Sequence, residues 1–353
     1  MSHIASNMLE SLPTRDLSPQ LTQAKLVAVR NLVTSKLFQH DESRSQLLGM
    51  CCKQLRMHLA HRDELRLCTE ILGEILGFLF KQRQTQIQEQ GKVNNCLHHD
   101  VEILCIHTLD ILIQTVLIII DRPTPVLGSL VACLIGLLQL LDEYHYARLW
   151  EELGEHKPTK DFLLRVFLVF RDLVKQEVFS PDWLVIKMAA NQVILNSLKE
   201  LAEPLVTKFL DDGRCHHFDN QLWTQYFSLA VAFLTQPSLQ LEQFSEVKRE
   251  KMMERYGDMR VFMGFQILRM WSRLGEHKIK FIPNMVGPFL EVTLVPEAEL
   301  RKATLHIFFD MMECEQRARG NFKQVESELI DKLDILISEN KGDDEYRQLF
   351  NTM

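Results

Sequence analysis

Residues 271–314 constrain the fold of this chain more than any other stretch, and they read WSRLGEHKIKFIPNMVGPFLEVTLVPEAELRKATLHIFFDMMEC. Gly275 stands where a helix C-cap glycine is expected, and Pro283, Pro288 and Pro296 each mark a boundary or the first turn of a helix. After Pro296, apolar residues recur at helical spacing over more than one narrow face: Leu300, Ala303, Leu305, Ile307, Phe308, Phe309, Met311 and Met312. Helices of this kind are normally packed between neighbours, so the stretch predicts one hairpin of a stacked helical array.

Start and stop signals of the same kind recur along the chain. Ser18 followed by Pro19 predicts a helix start, with the helix running to about Phe38. Glu297 and Glu299 are expected in the first turn of the helix after Pro296, where the helix dipole favours acidic side chains. Other helices are predicted at 41–59, 64–80, 103–120, 126–141, 142–153, 159–178, 182–210 with a bend at Pro204, 219–235, 246–255 and 258–274.

Together these signals predict an all-α fold, an α-solenoid of stacked antiparallel helices of the HEAT, armadillo or TPR type. The predicted organisation is an irregular segment at 1–17, a helical-repeat solenoid at 18–342 with a polar, Gln-rich loop near 82–96, and the start of a further helix at 343–353. That last helix carries Tyr346, Leu349 and Phe350 on one face, for a following repeat. Because short isolated helices are marginal in water, we expect it to be weakly held.

Composition excludes several classes of function. The net charge is −7, with charged residues interspersed along the chain, so nothing indicates nucleic-acid binding. The 8 cysteines contain no C-x-x-C pair, which favours a reducing compartment. The first 20 residues lack the apolar core of a secretory signal. Residues 103–120 are too polar for a membrane span and residues 126–141 are too short, so both are expected to be buried helices joined by a turn.

No catalytic, cofactor-binding or metal-binding residue is assigned from the sequence. The phosphate-binding, dinucleotide-binding, zinc-protease and nucleophile-elbow motifs are all absent. Two clusters resemble metal ligands, Cys96 with His98 and His99, and residues 215–217 (Cys-His-His), but adjacent ligands rarely close a tetrahedral site without a second pair. The carboxylates of 250–255 and 313–315 are expected on solvated helix faces. The Met252-Met253, Phe308-Phe309 and Met311-Met312 pairs are interpreted mainly as core.

Part of the sequence resembles a known family. The run HKIKFIPNMVGPFLEVTLVPEAELRKATLHIFFDMMECEQ, followed by GNFKQVESELIDKLD and GDDEYRQLF, is similar to the helical segment of the dedicator-of-cytokinesis (DOCK) family. FSPDWLVIKMAANQVI and QLWTQYFSLAVAFLTQPSLQLE extend the similarity backwards, and LTQAKLVAVRNLV extends it more loosely. The run GNFKQVESELIDKLD resembles the DOCK-B subgroup.

The resemblance implies a function. DOCK proteins are guanine nucleotide exchange factors for Rho-family GTPases such as Rac, in which a helical-repeat region lies between a lipid-binding module and a catalytic module. The resemblance ends where the catalytic module is expected to begin, so this chain is predicted to be a non-catalytic scaffold segment of a cytoplasmic exchange factor that other modules recruit to membranes. Its expected partners are the rest of that protein, a Rho-family GTPase reached through it, and proteins on the solenoid surface. The alternatives are a free-standing α-solenoid adaptor that binds a peptide or helix and, less favoured, an enzyme with an unrecognised site.

Overall fold

The computed structural model describes residues 7, 18–122, 124–154, 156–176, 178, 183–210 and 218–351. These residues form 17 α-helices and three short 3-10 helices, with no β-strand among them. The all-α fold class predicted from the sequence is therefore confirmed, as stacked antiparallel helices of the solenoid type. Two compact units divide the chain, Met1–Val169 and Phe170–Met353.

The first unit contains seven of the described helices and the start of an eighth. They are α1 (Pro19–Val33), α2 (Lys36–Gln39), α3 (Asp41–His61), α4 (Leu65–Gln90), α5 (Asn95–Ile119), α6 (Leu127–Leu140), α7 (Glu143–Leu153) and α8 (His156–Lys175), which crosses the unit boundary. Packing alternates between two layers. α1, α4 and α6 lie in one layer, and α3, α5 and α7 in the other. Each long helix thus buries apolar residues against neighbours on more than one side.

The second unit follows the same alternation. Its helices are α9 (Leu184–Leu201), α10 (Glu203–Thr207), α11 (Asn220–Thr235), α12 (Glu246–Tyr256), α13 (Met259–Arg273), α14 (Val286–Thr293), α15 (Ala298–Arg319), α16 (Lys323–Ser338) and α17 (Asp344–Asn351). Short 3-10 helices lie at Pro237–Leu239, Leu241–Gln243 and Gly275–Phe281. α11, α14 and α16 form one layer, whereas α9, α13 and α15 form the other.

Several predicted helix starts are confirmed in atomic detail. The Ser18 hydroxyl accepts from the backbone N–H of Leu21 at 3.4 Å at the start of α1. Asp219 caps α11 in the same way, accepting from the Leu222 N–H at 3.1 Å. α9 ends at Leu201 and α10 begins at Glu203, with Pro204 in its first turn, so the chain breaks close to the predicted bend. The predicted starts at residues 180–182 and the helix end at 211–213 lie outside the described residues. The predicted turn at 121–125 is described except for residue 123, and it joins α5, which ends at Ile119, to α6, which begins at Leu127.

Other boundaries were predicted wrongly. α1 ends at Val33 and not near Phe38, because the Thr34 and Ser35 hydroxyls bond to backbone carbonyls of the preceding turn and compete with continued helix. The polar segment expected to form a loop near 82–96 is helical as far as Gln90, since Gln, Lys and Arg are good helix formers without any apolar periodicity. Glu297 is the N-cap of α15 and does not lie in its first turn; its carboxylate accepts from the N–H of Leu300 at 2.6 Å.

α5 is the one described helix that by itself is long and apolar enough to span a membrane. Its most apolar 18-residue window has a mean hydropathy of 1.9, and 56% of that window is buried. α3, α6 and α7 all pack against it, which places it as a core helix of the first unit. α6 and α7 would make a second candidate only as one span, but the two are bent by 107°.

Candidate functional site

Three buried arginines lie near the starts of three different helices. Arg44 is the fourth residue of α3, Arg260 the second of α13 and Arg301 the fourth of α15, and each side chain is only 3% exposed. The positive end of a helix dipole disfavours a cation, and burial removes the water that would solvate it. Each guanidinium is therefore expected to need carboxylates, and each has them.

Arg44 joins three helices of the first unit. Its Nε donates to Asp100 Oδ2 at 2.6 Å and its Nη2 to Asp41 Oδ1 at 2.8 Å, while Ser45 donates to the other Asp100 oxygen at 3.2 Å. The guanidinium also lies 5.2 Å from the ring centre of Phe78. Burial opposes the charge of Arg44, but its hydrogen bonds with Asp100 and Asp41 outweigh burial and hold its pKa above the usual value. α3, α4 and α5 thus meet at one buried cation.

Arg260 joins a connector to the helix that follows it. Its two terminal nitrogens donate to the two oxygens of Glu242 at 2.8 and 3.0 Å. Asp258 accepts from the Nε at 3.0 Å and from Nη2 at 2.8 Å, and it also caps α13 by accepting from the Arg260 backbone N–H. Although burial opposes the charge, these two carboxylates raise the pKa of Arg260. The 3-10 turn that carries Glu242 is held against the start of α13.

Arg301 joins the ends of three helices in the second unit. Its Nε donates to the carbonyl of Thr293, the last residue of α14, at 2.9 Å. Its terminal nitrogens donate to both oxygens of Asp343 at 2.6 and 3.0 Å, and Asp343 in turn accepts from the Tyr346 N–H at 2.7 Å at the start of α17. The Tyr346 side chain is 2% exposed.

α17 therefore has anchors that the sequence analysis did not anticipate. The expectation of a weakly held terminal helix rested on its short length, and it stays a prediction. The side chains of Leu349 and Phe350 lie outside the described residues.

A buried glutamate on α15 caps the start of the next helix, α16. Glu315, on α15, is 0% exposed and accepts from the backbone N–H of Val325 at 2.9 Å and of Gln324 at 3.3 Å. Arg319 pairs with it at 3.0 Å. The carboxylate thus takes the part of a capping side chain for α16, from the preceding helix. The prediction that residues 313–315 share a solvated face is wrong for Glu315, because the hairpin folds α16 over it.

Histidines gather where α5 and α7 begin. Asp142 caps α7 by accepting from the His145 N–H at 3.2 Å, and His145 Nδ1 accepts from the Asp142 N–H at 3.3 Å. The opposite ring nitrogen, Nε2, lies 3.1 Å from the carbonyl oxygen of His98. The rings of His98 and His145 stack with centres 5.3 Å apart, and His98 Nδ1 lies 3.6 Å from Asp142 Oδ2. Of the predicted cluster, only His98 joins this group; Cys96 is exposed and His99 faces Glu102 at 3.5 Å.

Comparison with known proteins decides the family. The model of the Dedicator of cytokinesis (DOCK) TPR region matches residues 1–353. The chain belongs to the dedicator-of-cytokinesis family. Dedicator of cytokinesis protein 4 of Homo sapiens is 40% identical over 365 residues, which cover 100% of this chain and 18% of that protein. Dedicator of cytokinesis protein 3 of Mus musculus is 40% identical over 359 residues, covering 98% of this chain and 17% of that protein.

The remaining candidates within this DOCK TPR region are placed as follows. Residues 215–217 lie outside the described part of the chain. Met252, Phe308 and Met311 are buried, as interpreted from the sequence, but Met253 and Phe309 are exposed. The described cysteines are all free, including the adjacent pair Cys51 and Cys52, and burial raises the pKa of Cys51 to about 12. That thiol is therefore protonated and unreactive at neutral pH.

None of the three buried arginines of this DOCK segment was predicted from the sequence. One local signal was available. The helix dipole disfavours a cation near the start of a helix, so such a cation needs a negatively charged group nearby. The compensating Asp100 and Asp343 lie 56 and 42 residues further along the chain, at no periodic spacing.

Proposed function

We propose that this chain is the helical scaffold segment of a DOCK-type guanine nucleotide exchange factor for Rho-family GTPases. The observation that carries the proposal is the family match over residues 1–353, together with relatives of which the chain covers only 17–18%. A segment of this kind acts by holding other modules at a set distance and angle. We take the array at 18–342 to serve as that spacer.

The arginine joints support a mechanical role. A helical array transmits orientation only if successive helices keep a constant angle, and a buried guanidinium shared by several helix ends restricts that angle more than apolar contact alone. Arg44 does this for α3, α4 and α5, and Arg301 for α14, α15 and α17. At both sites the guanidinium donates hydrogen bonds that link separate helices.

The finer assignments belong to the same proposal. We take the GTPase to be of the Rac type and the chain to belong to the DOCK-B subgroup, on the resemblance of GNFKQVESELIDKLD at 320–334. The partners are the rest of the exchange factor and, through it, the GTPase, with further proteins on the helical surface. The protein acts in the cytoplasm, and modules outside this chain recruit it to membranes.

A segment exchange tests the proposal. This chain replaces the matched segment of human Dedicator of cytokinesis protein 4, and release of labelled GDP from Rac is measured for the parent, the chimera, a form with the segment deleted and the isolated chain. We expect the chimera to retain most of the parent's activity and the deleted form to lose it, with no acceleration by the chain alone. An inactive, folded chimera contradicts the scaffold role, and dose-dependent acceleration by the purified chain contradicts its non-catalytic nature.

An exposed apolar surface favours a second candidate function, the adaptor. Phe262 and Phe265 on α13 and Phe309 on α15 are each more than half exposed, and these two helices pack side by side. Exposed aromatic side chains on neighbouring helices suit an amphipathic helix or peptide. The double variant Phe265→Ser with Phe309→Ser, made in the chimera, separates the adaptor from the spacer. If the chain is an adaptor, the variant loses its partner in a co-precipitation. If it is a spacer, the variant keeps its exchange activity.

A further inference from the structure

We propose that His98, Asp142 and His145 bind a divalent metal ion, for which zinc is the best fit, between the starts of α5 and α7. Imidazole nitrogens and a carboxylate oxygen are ligands that zinc takes in proteins. One donor comes from α5 and two from the first turn of α7 and its cap, so a bound ion would tie the two helix starts together. The proposal is independent of the exchange-factor assignment.

The spacing of the donor atoms suits one ion. One ligand atom from each of the three side chains lies within 4.8 Å of the others. Zinc bonds of about 2.0–2.2 Å in a tetrahedral site place neighbouring ligand atoms roughly 3.3 Å apart. His98 Nδ1 and Asp142 Oδ2 are 3.6 Å apart, and His145 Nδ1 and Asp142 Oδ1 are 2.6 Å apart, on either side of that value. A small rotation of the half-exposed His98 ring would align its lone pair.

The hydrogen bond on the far side of His145 sets its tautomer. A carbonyl oxygen only accepts, so Nε2 must carry the hydrogen that it donates to the His98 carbonyl at 3.1 Å. This is the outer bond that metal-binding histidines usually make. In that tautomer the lone pair of Nδ1 accepts from the Asp142 backbone N–H at 3.3 Å in the capping box, and Nδ1 also lies 2.6 Å from Asp142 Oδ1. A metal ion bound at Nδ1 would replace that N–H as the partner of the lone pair and would lie between the ring and the carboxylate.

Helix capping alone accounts for only part of this arrangement. The capping box explains why Asp142 and His145 bond to each other's backbone N–H groups, although Glu or Gln is the usual residue at the third helical position. It does not explain why the ring of His98 stacks on His145 with its Nδ1 towards the same carboxylate. A cation shared by the three side chains explains both.

The surroundings leave space for a further ligand. A cavity of about 60 Å³ adjoins the three side chains, and its wall also contains Arg83, Leu97 and Leu140. A single water needs about 10–15 Å³, so a water can complete a four-coordinate ion. Arg83, the nearby cation, is directed at the carbonyls of Gln139 and Leu140 at 3.1 and 3.4 Å and does not pair with Asp142.

Calorimetric titration of the whole purified chain with Zn²⁺ alone tests the site. Two variants remove ligands but keep the cap: Asp142→Asn, because Asn is also a good N-cap, and His145→Gln, because Gln suits the third position of a capping box. His98→Ala removes the half-exposed ligand. His99→Ala is the matched control, since His99 is the exposed neighbour that faces Glu102. Unfolding temperatures with and without zinc, and circular dichroism, verify that each variant is folded.

We expect one zinc ion per chain and a higher unfolding temperature with zinc. Each ligand variant should bind at least about tenfold more weakly and lose the thermal shift, whereas His99→Ala should keep both. Zinc binding that persists undiminished in Asp142→Asn and His145→Gln places the ion elsewhere, for example on Cys96 or residues 215–217, and overturns the proposal. Absence of stoichiometric binding to the unmodified chain overturns it too. If a capping variant fails to fold, His98→Ala decides the outcome alone.

Discussion

Arg44 in the first unit and Arg301 in the second are both buried near the start of a helix, but the carboxylates that face them differ in exposure. In the first unit, the carboxylate of Asp100 that faces Arg44 is 0% exposed. In the second unit, the carboxylate of Asp343 that faces Arg301 is 46% exposed. Water can replace the second partner but not the first. The difference therefore separates a contact on which a unit's folding depends from one that holds only the next helix.

The largest effect is expected for Asp100→Ala. It leaves the Arg44 guanidinium buried with only Asp41, and removal of one partner from a buried pair costs about 3–5 kcal/mol. Urea unfolding of the chain, followed by circular dichroism, should show the transition of the first unit at a clearly lower midpoint. Asp41→Ala is the control: Asp41 is half exposed, and exposed pairs are worth about 1 kcal/mol or less. Equal effects of the two variants would contradict the comparison.

Two glycine replacements extend the comparison to packing. At Gly264 in α13, an added Cβ would lie 2.5 Å from Cδ1 of the buried Leu300 on α15, whereas at exposed Gly73 in α4 it would meet nothing within 4 Å. Gly264→Ala should lower the free energy of unfolding by about 1–3 kcal/mol through overpacking. Gly73→Ala should raise it by up to about 1 kcal/mol, because alanine is the better helix former.

Thermal unfolding of both variants measures whether Gly264→Ala lowers stability and Gly73→Ala raises it. A stabilising Gly264→Ala would mean that Leu300 can move aside and that α13 and α15 do not depend on their close approach.

Asp343→Ala should act locally. It removes the cap of α17 and one partner of Arg301, which still donates to the Thr293 carbonyl. Loss of an N-cap costs about 1 kcal/mol, so amides of α17 should exchange several-fold faster while those of α13 keep their rates. Hydrogen exchange read by mass spectrometry checks this. Glu345→Ala is the matched control. Glu345 also faces Arg301, but its contact is longer, at 3.3 Å, and its side chain is 83% exposed. A global loss of protection would mean that the joint serves the whole unit.

The smallest effect is a pH dependence of the same contact. The hydrogen bond from Arg301 holds the pKa of Asp343 below its ordinary value of 3.8. Since the folded pKa is the lower one, the contribution to stability is fully present above pH about 4 and is lost as the pH falls through the folded value. Protection factors of α17 amides, corrected for intrinsic exchange, should fall at acid pH before those of α13.

Asp343→Asn keeps a capping oxygen but does not titrate, so it should remove this difference. If the Asn variant shows the same acid loss as the unmodified chain, another carboxylate controls α17.

Local sequence patterns predicted the presence of the helices better than the residues at which they begin and end. The Ser18 cap and the helix start at Asp219 were predicted correctly because a cap and its partner lie three residues apart. The end of α4 was misplaced, since residues 82–90 are polar yet helical, and a solvated helix end looks like a loop when only apolar periodicity is considered. The candidate sites could hardly be predicted. The sequence grouped His98 with Cys96 and His99 and not with Asp142 and His145, and Glu315 was expected on a solvated helix face although it is buried.

By itself, the amino-acid sequence determined the fold class, several helix starts and the family, because periodicity, start signals and family motifs all depend on neighbouring residues. Only the tertiary structure decided which charges are buried and what faces them. Asp100 reaches Arg44 across 56 residues and His145 reaches the carbonyl of His98 across 47. Burial depends on which helices stack, and the energy of a charge depends on its burial, so the same Asp or Glu can be a solvated surface group in one place and an essential partner in another.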